Sequence, residues 1–383
     1  MIDPRDGDRG VPGRDDVRYM AVALEAARRG WGRTAPNPMV GAVVVQAGET
    51  VGVGWHAEYG GPHAEVMALE LAGARARGAT MYVTLEPCTH FGMTPPCTAA
   101  LIHAGIARVV IGARDPHPQA RGGIEKLRRA GLEVVSGVLD EASRELNAPF
   151  FFAFGAQRPW VTLKLALSLD GAMADAQGRA KWITGKASRD HVHILRAGSD
   201  AVAVGIGTVL ADDPLLTVRT MFGPTPLAAR PPAMPPARVV FDRRTRLPLN
   251  SALVHTRGAA PVVVVAEAPD ERRTQALEWN GVDVLKVDSL DDALAQLRTR
   301  GIRSMLVEGG ATLAAALLER ALVDRLVIFQ APVVLGAGAL RPFDRLPATG
   351  VDAAIPLRVV EREALGNDLM TVYALRELPC SPD

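Results

Sequence analysis

Cysteine is scarce in this chain: three residues in 383. That excludes a disulfide-stapled secreted scaffold and leaves metal ligand, reactive thiol or core filler as roles for them. Charge of one sign is equally scarce, with 43 Lys+Arg against 42 Asp+Glu and a formal net charge of +1. Broad electrostatic attraction to nucleic acid or anionic membrane needs a larger excess, although a local basic patch can still hold a small phosphate. No apolar run reaches the ~18 residues of a membrane-span candidate. The opening MIDPRDGDRG is polar and acidic and does not read as a secretory signal. Together these absences predict a cytoplasmic protein with neither a membrane nor a nucleic-acid partner.

What is present is a 48% apolar content, enough for real cores, over a length that predicts two or three domains of ~150 residues. Residues 1–14 show no apolar period and read as a disordered tail. A helix capped by Asp15 or Asp16 follows, with Tyr19, Met20, Ala23, Leu24 and Ala27 at helical spacing. A hairpin is predicted around Ala47-Gly48-Glu49, then a helix from His63 to about Arg77. Strands at 80–85, 107–112 and 132–137 alternate with helices near 98–104 and 122–130, which predicts a layered α/β domain over 15–150. The aromatic segment APFFFAFGAQRP (148–159) is the expected join, packed between domains, with 151–159 as linker. A second α/β series runs over 160–378, with strands at 160–167, 200–204, 237–241, 261–266, 282–286, 303–307 and 325–329. The proline-rich stretch 223–237 reads as an exposed polyproline-like loop.

The strongest chemistry lies in His63-Ala64-Glu65 followed by Pro87-Cys88 and Cys97. One imidazole and two thiolates suit Zn²⁺ with a fourth position open for water. His63 and Glu65 open a helix, Cys88 follows a strand end, and Cys97 precedes the next helix. Helix N-termini favour thiolate and hydroxide. Glu65 would sit beside the metal without binding it and move protons between water, a ring nitrogen and a leaving amine. A structural zinc site would usually have four protein ligands; the remaining cysteine, Cys380, reads as a free surface thiol.

This pattern resembles the zinc nucleobase deaminases, whose signature is H-x-E followed by P-C-x-x-C. Here eight residues, THFGMTPP, separate the two cysteines. With PNPMVGAVVV (36–45) and GGPHAEVMAL (60–69), the stretch TLEPCTHFGMTPPC resembles the deaminase half of the bifunctional riboflavin-biosynthesis deaminase–reductase family. The resemblance implies that Asn37 hydrogen-bonds the pyrimidine; the plainer reading is a turn residue between two prolines. His90, inside the insert, is either a contact to the substrate phosphate or a solvent-facing loop residue.

In the second series, Gly205-Ile206-Gly207 lacks the third glycine of a dinucleotide fingerprint. Val307-Glu308-Gly309-Gly310 ends a strand and opens the helix ATLAAALLER, so its N–H groups could hold a pyrophosphate, or form a plain helix-start turn. LKLALSLDG (163–171), KWITG (181–185), VGIGTVLADDPLLTVR (204–219) and LVEGGATL (306–313) resemble the reductase half of the same family. The resemblance implies a cytidine-deaminase-like α/β/α domain followed by a dihydrofolate-reductase-like α/β domain using NADPH. It also implies that Ala166, Trp182, Thr208, Asp212, Gly309 and Gly310 line the cofactor site. Arg196 and Arg219 would hold the substrate phosphate through two-pronged donors. Leu216 and Glu308 would contact the substrate, Glu308 on the ribose chain. Lys164, a charge inside an apolar strand, needs a partner or a function and is a candidate proton donor in the substrate site. Ala180 departs from the hydroxyl residue common two positions before the tryptophan. Arg243-Arg244, after the strand at 237–241, is a candidate grip on the NADPH 2′-phosphate or a solvated pair, while Asp242 leaves a ribose contact open.

The expected activity is hydrolytic deamination of 2,5-diamino-6-(5-phosphoribosylamino)-4(3H)-pyrimidinone, then NADPH-dependent reduction of the ribosyl chain to ribityl. The expected partner is that small phosphorylated pyrimidine, and a homo-oligomer is expected. The rivals are a nucleic-acid deaminase, disfavoured by balanced charge and the long insert, and a regulatory ligand-binding protein with a structural zinc.

Overall fold

The computed structural model describes residues 13–93, 95–219, 232, 234–347 and 350–377. The chain divides into two compact units between Gly155 and Ala156.

The first unit contains α1 (Arg14–Arg28), β1 (Gly41–Gln46), β2 (Glu49–Trp55), α2 (Ala64–Ala72), β3 (Thr80–Leu85), α3 (Cys97–Ala104), β4 (Arg108–Ala113), α4 (Gly123–Arg129), β5 (Glu133–Ser136), α5 (Asp140–Leu146) and α6 (Ala148–Ala153). Its sheet runs β2-β1-β3-β4-β5, antiparallel across β2, β1 and β3 and parallel from β3 to β5. Alternate residues of β1 feed two cores. Ala42 and Val44 pack with α2, α3 and α4 through Ala68, Leu101 and Leu127. Val43 and Val45 pack with α1 through Tyr19, Met20 and Ala23. Helices on both faces make this an α/β/α layer.

Several boundaries differ from expectation. The N-cap of α1 is Gly13, not Asp15 or Asp16. Asp16 works from inside the first turn, accepting the Gly13 N–H at 3.1 Å, where a carboxylate also complements the helix dipole. The helix thus begins inside the segment read as tail, and residues 1–12 lie outside the described residues. The hairpin turn is only Ala47-Gly48, both at positive φ, and Glu49 already belongs to β2. α2 stops at Ala72, where Gly73 takes φ 54°, and a 3-10 turn over Gly73–Ala76 carries the segment to the expected end near Arg77. The aromatic join contains a helix of the first unit: Phe151 of α6 packs on Leu85 and Ala113. The proline-rich stretch lies almost wholly outside the described residues, and Cys380 lies outside them too.

The second unit contains β6 (Trp160–Leu167), α7 (Lys186–Ala197), β7 (Ala201–Gly205), α8 (Ile206–Asp212), β8 (Ala237–Phe241), α9 (Ala252–His255), β9 (Val262–Ala266), α10 (Glu271–Trp279), β10 (Asp283–Lys286), α11 (Leu290–Thr299), β11 (Ser304–Val307), α12 (Ala311–Glu319), β12 (Arg325–Gln330), β13 (Arg358–Leu365) and β14 (Asp368–Ala374). These strands form one sheet of nine in the order β10-β9-β8-β7-β11-β6-β12-β14-β13. It is parallel from β10 to β12 and antiparallel through β14 and β13. One face packs against α11 and α12 through Leu294, Leu297, Leu313 and Leu317. On the other, Ile206, Leu253 and Leu277 cover β7 to β10, and Val192 of α7 meets Val327, Phe329 and Met370. Among the described residues, no helix is long and apolar enough to cross a membrane.

Candidate active sites

The first site forms where three chain segments converge at the carboxyl end of β3. His63 is the N-cap of α2, and Glu65 lies in its first turn. Cys88 follows β3 after Glu86-Pro87, and Cys97 is the first residue of α3. α2 sits so low on β2 that a Cβ at Gly54 would lie 2.2 Å from the Ala64 carbonyl oxygen. Glycine at that position therefore sets the height of the helix start that carries His63 and Glu65.

The candidate ligand atoms of His63, Cys88 and Cys97 all lie within 4.8 Å of one another. His63 Nδ1 is 3.1 Å from Cys97 Sγ and 3.7 Å from Cys88 Sγ. The Cys97 N–H donates to Cys88 Sγ at 3.3 Å. The hydrogen bond with Cys97, together with His63, holds the Cys88 thiol far below its ordinary value, whereas hydrogen bonding to Cys88 and burial push Cys97 up. One nitrogen and two sulfurs crowded at a helix start fit zinc, with a fourth position free for water. Glu65 is buried, and that burial raises its pKa above the usual carboxylate range.

A cavity of about 260 Å³ opens beside these groups, lined by Asn37, His56, Glu65, Asp115 and His117 among others. Asn37 lines it, and its Nδ2 lies 3.3 Å from His56 Nε2. His56 Nδ1 lies 3.0 Å from the Pro62 carbonyl oxygen, which assigns the ring proton to Nδ1 and leaves Nε2 to accept from the Asn37 amide. That pairing fixes which end of the amide is left for a ligand. His90 also lines the cavity and is only partly exposed. His56, Asp115 and His117 escaped the sequence reading. The last two lie just beyond β4, and the carboxyl ends of parallel strands are where open α/β sheets place ligands.

In the second unit, Lys164 and Ala166 lie on the half-buried face of β6 while Val161, Leu163, Leu165 and Leu167 face the core. Burial lowers the Lys164 pKa, opposed by the nearby Glu308 charge. Glu308 follows β11, and its carboxylate is clasped by Arg196 of α7, Nε to Oε1 at 2.5 Å and Nη2 to Oε2 at 2.8 Å. Burial alone would raise Glu308, but Arg196 holds it below the usual value. Arg196 Nη1 donates to the Thr217 carbonyl at 2.9 Å, so all its donor nitrogens have protein partners. Arg219 is exposed, its N–H donating to His193 Nδ1 at 3.4 Å.

Gly309 and Gly310 both take φ 79°, a conformation open to glycine, at the start of α12. A Cβ at Gly310 would lie 3.3 Å from Thr208 Oγ1, and one at Gly309 would lie 3.7 Å from Leu165. The glycine pair, Thr208 and β6 are thus neighbours. Lys181 Nζ lies 3.3 Å from Asp212 Oδ1, tying the Trp182 segment to the end of α8. Trp182 is 70% exposed, with the Arg189 guanidinium 4.7 Å from its ring centroid. Leu216 is 2% exposed within the core, so what it can offer a ligand is backbone. Asp242 is fully buried and accepts the Leu247 N–H at 2.8 Å and Arg246 Nε at 3.2 Å. That closes the ribose role left open for it. Arg243 pairs with Glu267 at 3.0 Å, and Arg244 is exposed.

The comparisons with known proteins agree with this division. Residues 14–113 match the cytidine and deoxycytidylate deaminase zinc-binding region, and residues 159–371 match the RibD C-terminal domain. The riboflavin biosynthesis protein RibD of Aquifex aeolicus is 44% identical over 94% of this chain and 98% of its own length. RibD of Escherichia coli is 43% identical over 85% of this chain and 89% of its own. Among solved structures, Acinetobacter baumannii RibD superposes with a TM-score of 0.82 at 38% identity, covering 94% of this chain and 99% of that one. A Thermotoga maritima diaminohydroxyphosphoribosylaminopyrimidine deaminase/5-amino-6-(5-phosphoribosylamino)uracil reductase gives 0.79 at 38% identity, covering 94% and 98%. A zinc-type deaminase unit and a reductase unit, matched end to end in this way, place the chain in the RibD family, the bifunctional deaminase–reductases of riboflavin biosynthesis.

Proposed function

We propose that the first unit removes the 2-amino group of 2,5-diamino-6-(5-phosphoribosylamino)-4(3H)-pyrimidinone and that the second reduces the product's ribosyl chain to ribityl. The reading is carried by one observation: three zinc-type ligand atoms within 4.8 Å beside a buried, non-ligating glutamate.

When bound, zinc supplies the Lewis acidity that makes water nucleophilic near neutral pH. His63, Cys88 and Cys97 would hold the metal, and Glu65 would take the proton of the water that adds to the ring carbon bearing the amine. The same carboxyl delivers protons to the ring nitrogen and to the amine, which leaves as ammonia. Burial raises the Glu65 pKa above the usual carboxylate range, which strengthens the carboxylate as a proton acceptor. Asn37, held by His56, orients the pyrimidine.

In the second unit, NADPH supplies hydride to C1′ of the opened sugar. Gly309, Gly310, Thr208, Asp212, Ala166 and Trp182 would hold the cofactor. Arg196 aims Glu308 at the ribose chain, which leaves Arg219 as the phosphate contact; Leu216 contributes backbone. Lys164, whose burial weakens its hold on a proton, donates it. The domains follow the two units, and the chain acts in the cytoplasm as a homo-oligomer.

The test is to incubate the zinc-loaded protein with the diaminopyrimidine phosphate and NADPH, following ammonia and NADPH separately. One ammonia released per NADPH oxidised is expected. Absence of ammonia release would overturn the first assignment, and oxidation of NADH in preference to NADPH the second.

A further inference from the structure

The proposed deamination substrate carries a phosphate on its ribose, and the present inference rests on that reading. A phosphate needs charged or N–H donors. Among the described residues lining the cavity there is no lysine and no arginine, but four histidines: His56, His63, His90 and His117. His63 belongs to the candidate metal site, and His56 is engaged by Pro62 and Asn37. His90 and His117 remain.

Their rings stack with centroids 6.2 Å apart and planes 11° from parallel. The edge of Phe154 closes on His117 at 5.2 Å. The stack is held from below. The Thr89 N–H and hydroxyl both donate to the Ala120 carbonyl at 3.3 Å, strapping the loop after Cys88 to the loop after β4. Asp115 accepts the His117 N–H at 2.8 Å. Glu86 accepts the N–H groups of Asp115, Gly122 and Ile124 at 3.2, 3.0 and 3.0 Å. Asp115 Oδ1 and both Glu86 oxygens are therefore occupied by backbone donors.

The hydrogen-bond network also assigns the ring protons. His117 Nδ1 accepts the Gln119 N–H at 3.1 Å, so its own N–H is on Nε2. His90 Nδ1 is buried without a hydrogen-bond partner; a proton there would lack an acceptor, so this ring too carries its N–H on Nε2. Each ring thus presents its Nε2–H, one donor, to an anion.

We propose that His90 and His117 form the phosphate subsite of the deaminase cavity. They select the phosphorylated nucleotide over its dephosphorylated riboside. The test uses the full zinc-loaded chain and compares kcat/KM for these two substrates in the wild type and in His117→Phe. The phenylalanine keeps a flat ring, one atom larger, against His90 and Phe154, removes both nitrogens and leaves the exposed Gln119 N–H to water. The preference for the phosphorylated substrate should fall by about tenfold or more, chiefly through KM, and inhibition by inorganic phosphate should weaken in parallel. A variant that retains the wild-type preference and phosphate inhibition overturns the subsite while leaving the substrate reading intact. A wild type without any preference overturns the substrate reading and the subsite with it. His90→Gln gives the second arm, scored with its zinc content because Cys88 is two residues away; if it loses zinc, His117→Phe decides alone.

Discussion

Burial and placement act together at Glu65. The side chain is 4% exposed, yet it is not among the three groups that cluster as ligands. Glu65→Gln keeps shape and hydrogen-bonding size while removing proton transfer. It is expected to retain zinc and lose deamination by about 10²–10⁴-fold. Metal analysis and ammonia release on the same sample check this, and a fully zinc-loaded variant deaminating at the wild-type rate would remove Glu65 from the mechanism. His63→Ala, Cys88→Ala and Cys97→Ala should instead lose the metal. The ligands were legible in the sequence because the deaminase signature is local, one motif at each of two element ends. His56 and His117 were not, because a single histidine in a loop carries no spacing. Only the fold brings them to the cavity.

At the scale of elements, α1 is tied to the sheet through the carboxylate of its own first turn. Asp16 accepts from Arg108 of β4 at 2.7 and 3.0 Å and from the Tyr82 hydroxyl of β3 at 3.1 Å. The Arg108 guanidinium holds the Asp16 carboxyl below its ordinary value. A depressed folded-state pKa stabilises the fold above the unfolded value and loses that contribution as pH falls through the folded one. Asp16→Asn should therefore cost about 1–3 kcal/mol near neutral pH, and its deficit should shrink below about pH 4. Denaturant titrations across that range check it; a deficit that does not change with pH would rule out the charge as its source. Gly54→Ala should act on another element, pushing the α2 start off β2 and lowering both zinc affinity and deamination. Unchanged zinc affinity would mean that β2 or α2 shifts without disturbing His63. Strands such as β9 were legible as continuous apolar runs, and β6 falls over the same residues as expected despite Lys164. The β13–β14 hairpin was not: β13 is an edge strand with exposed residues along most of its length, so neither face leaves an apolar period to read. α6 was missed for the opposite reason, its phenylalanines being too dense to show a period.

For the whole molecule, the two sheets share no strand, so the two chemistries should fail separately. In folded Glu65→Gln, NADPH oxidation should persist near the wild-type rate when the deaminated intermediate is supplied. Its loss would show that the reductase depends on a working deaminase.

The arrangement of the nine-stranded sheet has a consequence for how the protein is made. β6 is the first strand of its unit to leave the ribosome, yet its sheet neighbours are β11 and β12, which begin at Ser304 and Arg325. Through the synthesis of all the chain between, an apolar strand must wait with both edges unpaired. The first unit's strands, by contrast, are all made before Gly155. Vectorial synthesis thus delivers a foldable deaminase early and a reductase only at the end. Late-closing parallel pairing of this kind is slow and open to aggregation. Chains arrested before Ser304 should therefore be partly soluble through their first unit and chaperone-bound through their second.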